Sequence, residues 1–196
     1  MAGKIEFLFD VGSPTTYLAH RRLPAIIART GATVDYQPIL LGGVMKATGN
    51  APPGMVIPRG KWMAIDMARY AKRENIPLAM NPFFPINTMV MMRMLTAAKG
   101  TADFAPLLEA LFVAMWEQQR NMAEPAEVAA VLSAAGFDPA VWLEKANDPA
   151  VKAALVAATE RAVERGVFGA PTFFVGDEFF FGQDRLDWVE AELAKG

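Results

Sequence analysis

Phe7-Leu8-Phe9-Asp10-Val11-Gly12-Ser13-Pro14-Thr15-Thr16-Tyr17-Leu18-Ala19 is the stretch whose reading decides the fold. The apolar run from Ile5 to Phe9, bounded by Gly and Pro, reads as a buried strand. Ser13 then falls at a helix N-cap, with Pro14 at the first helical position. Ser13 is therefore a hydroxyl at a strand-to-helix switch. Unpaired backbone N–H groups and the positive end of the helix dipole favour an anion at such a place. The same Ser-Pro pair also serves as ordinary capping, so a functional reading has to draw on the rest of the chain.

Outward from that turn, Ala19, Leu23, Ile26 and Ile27 share one helical face, which predicts a helix to about Thr30 ended by Gly31. Pro24 lies inside it and removes one hydrogen bond, to the carbonyl of His20. Thr33 to Pro38 alternates as a second strand, so the chain opens with a βαβ unit and parallel pairing. The strand period returns near the end. Thr172 to Val175, a Gly176-Asp177 turn and Glu178 to Phe181 form a hairpin, followed by a last helix with Asp184 as its N-cap. Between these ends, residues 61–165 read as helix almost throughout. Phe104, Leu107, Leu108, Leu111, Phe112 and Met115 keep one face, and Asp138-Pro139 and Asp148-Pro149 each open a helix. The order β-α-β, helical block, β-β-α defines an α/β chain: residues 1–40 and 166–196 form one domain, and residues 41–165 an inserted loop and helical domain.

Residues 42–60 are rich in Gly and Pro, which predicts a loop and excludes a long helix. Lys46, Asn50 and Arg59 within it suit a polar or carboxylate-bearing ligand, and equally a solvated connector. Asn81 to Thr88 breaks the helical pattern ahead of Met89, Met91, Met92 and Met94. Such methionines beside Phe84 either line a pocket for a flat apolar ligand or are simply core.

Of the 196 residues 53% are hydrophobic and 20% charged, enough to bury a sizeable core, and the net charge of -2 gives no general attraction to nucleic acid or anionic membranes. Glu6 interrupts any signal-peptide h-region, and no window approaches a membrane span, so a cytoplasmic location is the expectation. The chain has no cysteine and one histidine, His20, two turns along the helix that Ser13 opens. No G-x-S-x-G is present, which excludes an ordinary serine-hydrolase reading of Ser13 and leaves His20 as a packed residue. No metal site is suggested.

Five stretches in order carry a family resemblance: Phe9-Asp10-Val11-Gly12-Ser13-Pro14 with Tyr17-Leu18-Ala19; Met45-Lys46 with Gly49-Asn50 and Pro52-Pro53-Gly54; Phe84-Pro85 with Asn87-Thr88; Val167 to Phe174 around Ala170-Pro171; and Phe181-Gly182-Gln183-Asp184-Arg185-Leu186. Over nearly its whole length the chain resembles the thioredoxin fold with a large all-helical insertion. More narrowly, it resembles the family of 2-hydroxychromene-2-carboxylate isomerase and the kappa-class glutathione transferases, relatives of DsbA. Thioredoxin-like redox proteins carry C-x-x-C at the turn occupied here by Ser13-Pro14-Thr15-Thr16, and a chain without a thiol cannot exchange dithiols.

The resemblance implies a glutathione site in which Ser13, with Pro14 and Thr15, holds the sulfur as thiolate. It also implies that Asn50 contacts the tripeptide, that Ala170 before a cis Pro171 pairs with its backbone, and that Gln183 and Asp184 bind its γ-glutamyl end. Lys46, Arg59, Phe84 and Asn87 are the expected contacts of a small aromatic carboxylate. In the substrate loop the isomerase's lysine aligns one position from Lys46, and its Asn-Arg pair falls on Met55 and Val56. The implied activity is glutathione-dependent cis-trans isomerisation in aromatic catabolism, by a homodimer. The alternatives are kappa-type transferase or peroxidase chemistry, or a cysteine-less binding module.

Overall fold

The computed structural model describes residues 3–195; Met1, Ala2 and Gly196, at the outer ends of the expected two-segment domain, lie outside the described residues. In chain order the elements are β1 (Lys4–Phe9), α1 (Pro14–Thr30), β2 (Thr33–Pro38), α2 (Leu41–Thr48), α3 (Ile57–Arg73), α4 (Met89–Ala98), α5 (Phe104–Trp116), α6 (Pro125–Ala134), α7 (Pro139–Asn147), α8 (Pro149–Glu164), β3 (Thr172–Val175), β4 (Glu178–Phe181) and α9 (Leu186–Leu193). The strands form one mixed sheet in the order β2-β1-β3-β4. β1 is parallel to β2 and antiparallel to β3, and β3 and β4 form the expected hairpin.

Strand alternation divides the core into two layers. Ile5, Phe7 and Phe9 point into the larger cluster, shared with α1, α4 and α5, while Leu8 joins Ile39, Val44, Ala162 and Phe174 on the opposite face. Phe7 stacks on Phe173, its partner across β1 and β3, with ring centroids 5.1 Å apart, and both rings are fully buried. Removing such a ring costs about 3–5 kcal/mol. Trp116 at the end of α5 donates its Nε1–H to Val11 O at 2.8 Å, which ties the turn after β1 to the helical insertion.

The caps follow the local chemistry. Ser13 accepts from Thr16 N–H, Asp138 from Ala140 N–H and Asp148 from Ala150 N–H, each with Pro opening the helix. α1 continues through Pro24, which lies on the exposed side.

Two expectations are corrected. The loop expected over residues 42–60 begins instead as a helix, α2, in spite of Gly42 and Gly43. Tertiary contacts outweigh the poor propensity here. The Asp10 carboxylate receives Leu41 N–H, Val44 is buried, and a Cβ added at Gly43 would stand 3.2 Å from Thr159 Cγ2 on α8, so glycine permits that approach. The irregular segment shrinks to residues 49–56, with one short 3₁₀ turn at Pro53–Met55.

Asp184 is not the cap of the last helix: it sits in a 3₁₀ turn, Gln183–Arg185, and α9 starts after it. Of the two readings open for the methionines of α4, core holds for Met91, Met92 and Met94, which are buried. Lys46 and Asn87, two of the expected substrate contacts, are exposed and are not among the residues that line the cavity described below; Asn87 accepts from Met89 N–H at the start of α4.

Candidate active site

A cavity of about 730 Å³ opens between the β1–α1 turn and the helical insertion. Its floor is the turn itself, Gly12 to Thr15, with Asp10 behind it and Ala170 beside it. One wall is α2 and the loop after it, including Leu41, Met45, Thr48 and Asn50. The opposite wall is α3 with Met63 and Met67, then Met80, Phe84 and Thr88; Phe168 and Phe181 close the remaining side. Most of this surface is apolar, with Arg59 on α3 as a cation.

At the floor, Ser13 is nearly inaccessible, with 5% of its surface exposed. Its Oγ accepts Thr16 N–H at 3.2 Å, donates to Ala170 O at 3.1 Å and lies 2.9 Å from Thr15 Oγ1. The Ala170–Pro171 bond is cis, and so is Phe84–Pro85. Pro14 carries no N–H and Thr16 N–H is used by the cap, which leaves Thr15 N–H as the first-turn amide outside the cap. The arrangement suits an anion approaching α1 end-on, next to a hydroxyl and a strand-like backbone group.

Asp10 is a site residue that the sequence reading passed over. It is 1% exposed; Oδ1 accepts Gly12 N–H at 2.9 Å and Oδ2 accepts Leu41 N–H at 2.8 Å. Burial pushes its carboxyl above the usual carboxylate range, while those two amides and the facing Thr88 hydroxyl pull it back down. One carboxylate thus clamps the Ser13 turn, the start of α2 and the start of α4. A sequence signal existed: an aspartate two residues ahead of Gly12, just before the Ser-Pro cap, has the spacing of an Asx turn. The cavity methionines, Met45, Met63, Met67 and Met80, were also missed, although Met63 and Met67 keep helical i, i+4 spacing.

Of the residues expected at a site, Ser13, Pro14, Thr15, Asn50, Arg59, Phe84 and Ala170 come together around this cavity. Asn50 spans its mouth, donating Nδ2–H to Phe168 O at 2.7 Å. Pro171 is buried just behind Ala170 and accepts Gly182 N–H at 2.9 Å. Gln183 and Asp184 stand past Phe181, outside the cavity lining. Gln183 is buried with Oε1 accepting from Arg22 at 2.9 Å, and Asp184 is exposed and paired with Arg185. His20 is packed elsewhere on α1, with Nδ1 3.0 Å from Tyr36 Oη and its ring stacked on Phe112.

A mixed sheet with a Ser-Pro cap facing a cis Ala170–Pro171 bond defines the class. The chain belongs to the DSBA-like thioredoxin domain family, whose model matches residues 4–194. It is 32% identical to a 2-hydroxychromene-2-carboxylate isomerase of Sphingobium xenophagum, over 98% of this chain and 99% of that protein. It is also 32% identical to glutathione S-transferase kappa 1 of Caenorhabditis elegans, over 95% of this chain and 88% of the other. Among solved structures, a 2-hydroxychromene-2-carboxylate isomerase superposes with a TM-score of 0.88 at 28% identity, covering 98% of this chain and 95% of that one. Among the described residues no helix is long and apolar enough to cross a membrane.

Proposed function

We propose that the protein is a glutathione-dependent isomerase of 2-hydroxychromene-2-carboxylate-type substrates, acting as a cytoplasmic homodimer. The observation that carries this reading is the floor of the cavity: in a chain without cysteine, a hydroxyl at a helix N-cap stands 3.1 Å from the carbonyl before a cis proline, under an apolar vault of about 730 Å³. The residues present fit a thiol-bearing peptide. The α1 N-terminus and the Ser13 hydroxyl suit a thiolate, and Ala170 offers backbone groups to an extended chain.

Bound glutathione would supply a nucleophilic sulfur, the chemistry by which reversible addition to a conjugated carbon would let a double bond rotate. The protein's own share is electrostatic and steric. Ser13 and the first turn of α1 favour the ionised thiol. Met45, Met63, Met67 and Phe84 offer the aromatic ring an apolar seat, and Arg59 offers its carboxylate a cation. The test is an ultraviolet assay of hydroxychromene carboxylate conversion with and without glutathione. Conversion that needs glutathione supports the reading, and an equal rate without it refutes it.

A second reading, kappa-type transfer, is favoured by the 32% identity to a glutathione S-transferase kappa 1. It calls for stoichiometric consumption of glutathione with an electrophilic chloroarene, whereas an isomerase returns the tripeptide unchanged. A third, a non-redox binding module, calls for indifference to both glutathione and its S-methyl form in a thermal-shift measurement. Sedimentation velocity checks the dimer.

A further inference from the structure

We propose that Thr15 is a positioning residue of the thiol site: its hydroxyl takes over the Ala170 carbonyl when Ser13 turns its own proton toward a bound sulfur, an inference that rests on the glutathione reading above. Three oxygens meet on the cavity floor. Ser13 Oγ is 3.1 Å from Ala170 O and 2.9 Å from Thr15 Oγ1, and Thr15 Oγ1 is 3.5 Å from the same carbonyl. Two hydroxyl protons serve this triangle.

Ser13 Oγ already accepts Thr16 N–H, so what it can offer an anion is its single proton. With no anion present, that proton goes to Ala170 O and Thr15 donates to the second lone pair of Ser13 Oγ. An anionic sulfur at the start of α1 draws the Ser13 proton away, and the carbonyl of a residue only 8% exposed would be left without its donor. Thr15 is half-buried and lines the cavity, and rotation of its hydroxyl about the Cβ–Oγ1 bond swings its proton from Ser13 to that carbonyl, with Oγ1 staying in place. The count of hydrogen bonds is then preserved, with the Ser13 hydroxyl donating to the sulfur and the Thr15 hydroxyl donating to the carbonyl. Because a carbonyl has two lone pairs, Ala170 keeps Thr15 and still accepts an amide N–H from the bound tripeptide. The benefit falls on the charged sulfur alone.

The test compares wild type with Thr15→Val, which removes the hydroxyl at nearly constant shape, and with Thr15→Ser, which retains it. Three quantities are read for each: the affinity for glutathione, the pKa of its bound thiol, from the ultraviolet absorbance of the thiolate, and the affinity for S-methyl glutathione, whose thioether cannot ionise. Thr15→Val is expected to raise the bound thiol pKa by about 0.5–1 unit, which is a roughly 3- to 10-fold smaller thiolate fraction below that pKa. S-methyl glutathione should bind all three proteins alike, and Thr15→Ser should restore the wild-type thiol pKa. An unchanged thiol pKa in Thr15→Val overturns the inference. So does an equal loss of both ligands, which would mark a packing role, and so does failure of Thr15→Ser to restore. A wild-type protein that binds no glutathione brings down the functional reading and this inference with it. Wild-type binding with a lowered thiol pKa that Thr15→Val leaves intact removes Thr15 alone.

Discussion

Ser13 and Asp10 sit three residues apart and meet different physical demands. On the proposed reading Ser13 offers one proton to a charge, and a hydrogen bond to a charged group contributes about 1.5–3 kcal/mol. Ser13→Ala should therefore cut glutathione-dependent turnover about 10- to 100-fold while the affinity for S-methyl glutathione stays near wild type. Steady-state kinetics beside calorimetry reads both quantities. Asp10 offers two acceptor oxygens to two backbone amides, and Asp10→Asn must turn an NH₂ group toward one of them. The expected loss is about 1–3 kcal/mol in urea unfolding, with a higher KM for the aromatic substrate as the Ser13 turn and α2 loosen.

Asp10 also sets a sign. Its folded pKa lies above the ordinary value of 3.8, so the stability it contributes is complete below that value and is lost as pH rises through the raised one. Asp10→Asn should flatten that part of the stability profile. Ser13 was legible because a cap followed by Pro is local chemistry. Asp10 was not weighed because two of its three partners, Leu41 and Thr88, lie 31 and 78 positions away, and no sequence periodicity announces them.

At the level of elements, strands and helices with their own signals were readable: β2 coincides with its alternation, both strands of the hairpin coincide with the short aromatic runs either side of Gly176-Asp177, and α1 ends at Gly31, whose φ of 69° is the left-handed cap. α2 was not readable, since its two glycines argue against a helix until α8 is packed against it. Gly43→Leu tests that packing. A branched side chain where a Cβ already stands 3.2 Å from Thr159 should push α2 off α8, costing about 1–3 kcal/mol in thermal unfolding and raising KM through Leu41 and Met45.

Another pair of elements, α1 and α5, is joined by Arg21, which grips both oxygens of Glu109 at 3.0 and 2.7 Å. The facing His20 imidazole and this guanidinium hold the Glu109 carboxyl at about 2, against an ordinary 4.5, with burial opposing them. Lowered in the folded state, it stabilises fully above 4.5 and loses that contribution as pH falls toward 2. In Glu109→Gln the acid limb of a stability-against-pH curve should be shallower than in wild type. An unchanged limb would show that the pair contributes nothing measurable there.

For the whole molecule, the order β-α-β, helices, β-β-α was enough to assign the sheet to the two chain ends and the insertion to the middle. It did not say which face of the insertion meets the sheet. That is why the sequence left the methionines of α4 open between pocket and core, of which Met91, Met92 and Met94 prove to be core, whereas Met45, Met63, Met67 and Met80 come from elements that only the fold brings together. Gln183 and Asp184, two and three residues beyond the cavity residue Phe181, end up outside the lining, where Gln183 meets Arg22 and Asp184 meets Arg185.

The central claim is that a cysteine-less chain stabilises a borrowed thiolate at the first turn of α1. The crystal structure of the protein with glutathione tests it most directly. The account predicts the sulfur about 3–3.5 Å from Ser13 Oγ, at the mouth of α1, with the tripeptide backbone running along Ala170. A sulfur bound anywhere else, or a tripeptide that leaves the Ser13 turn to solvent, would contradict it.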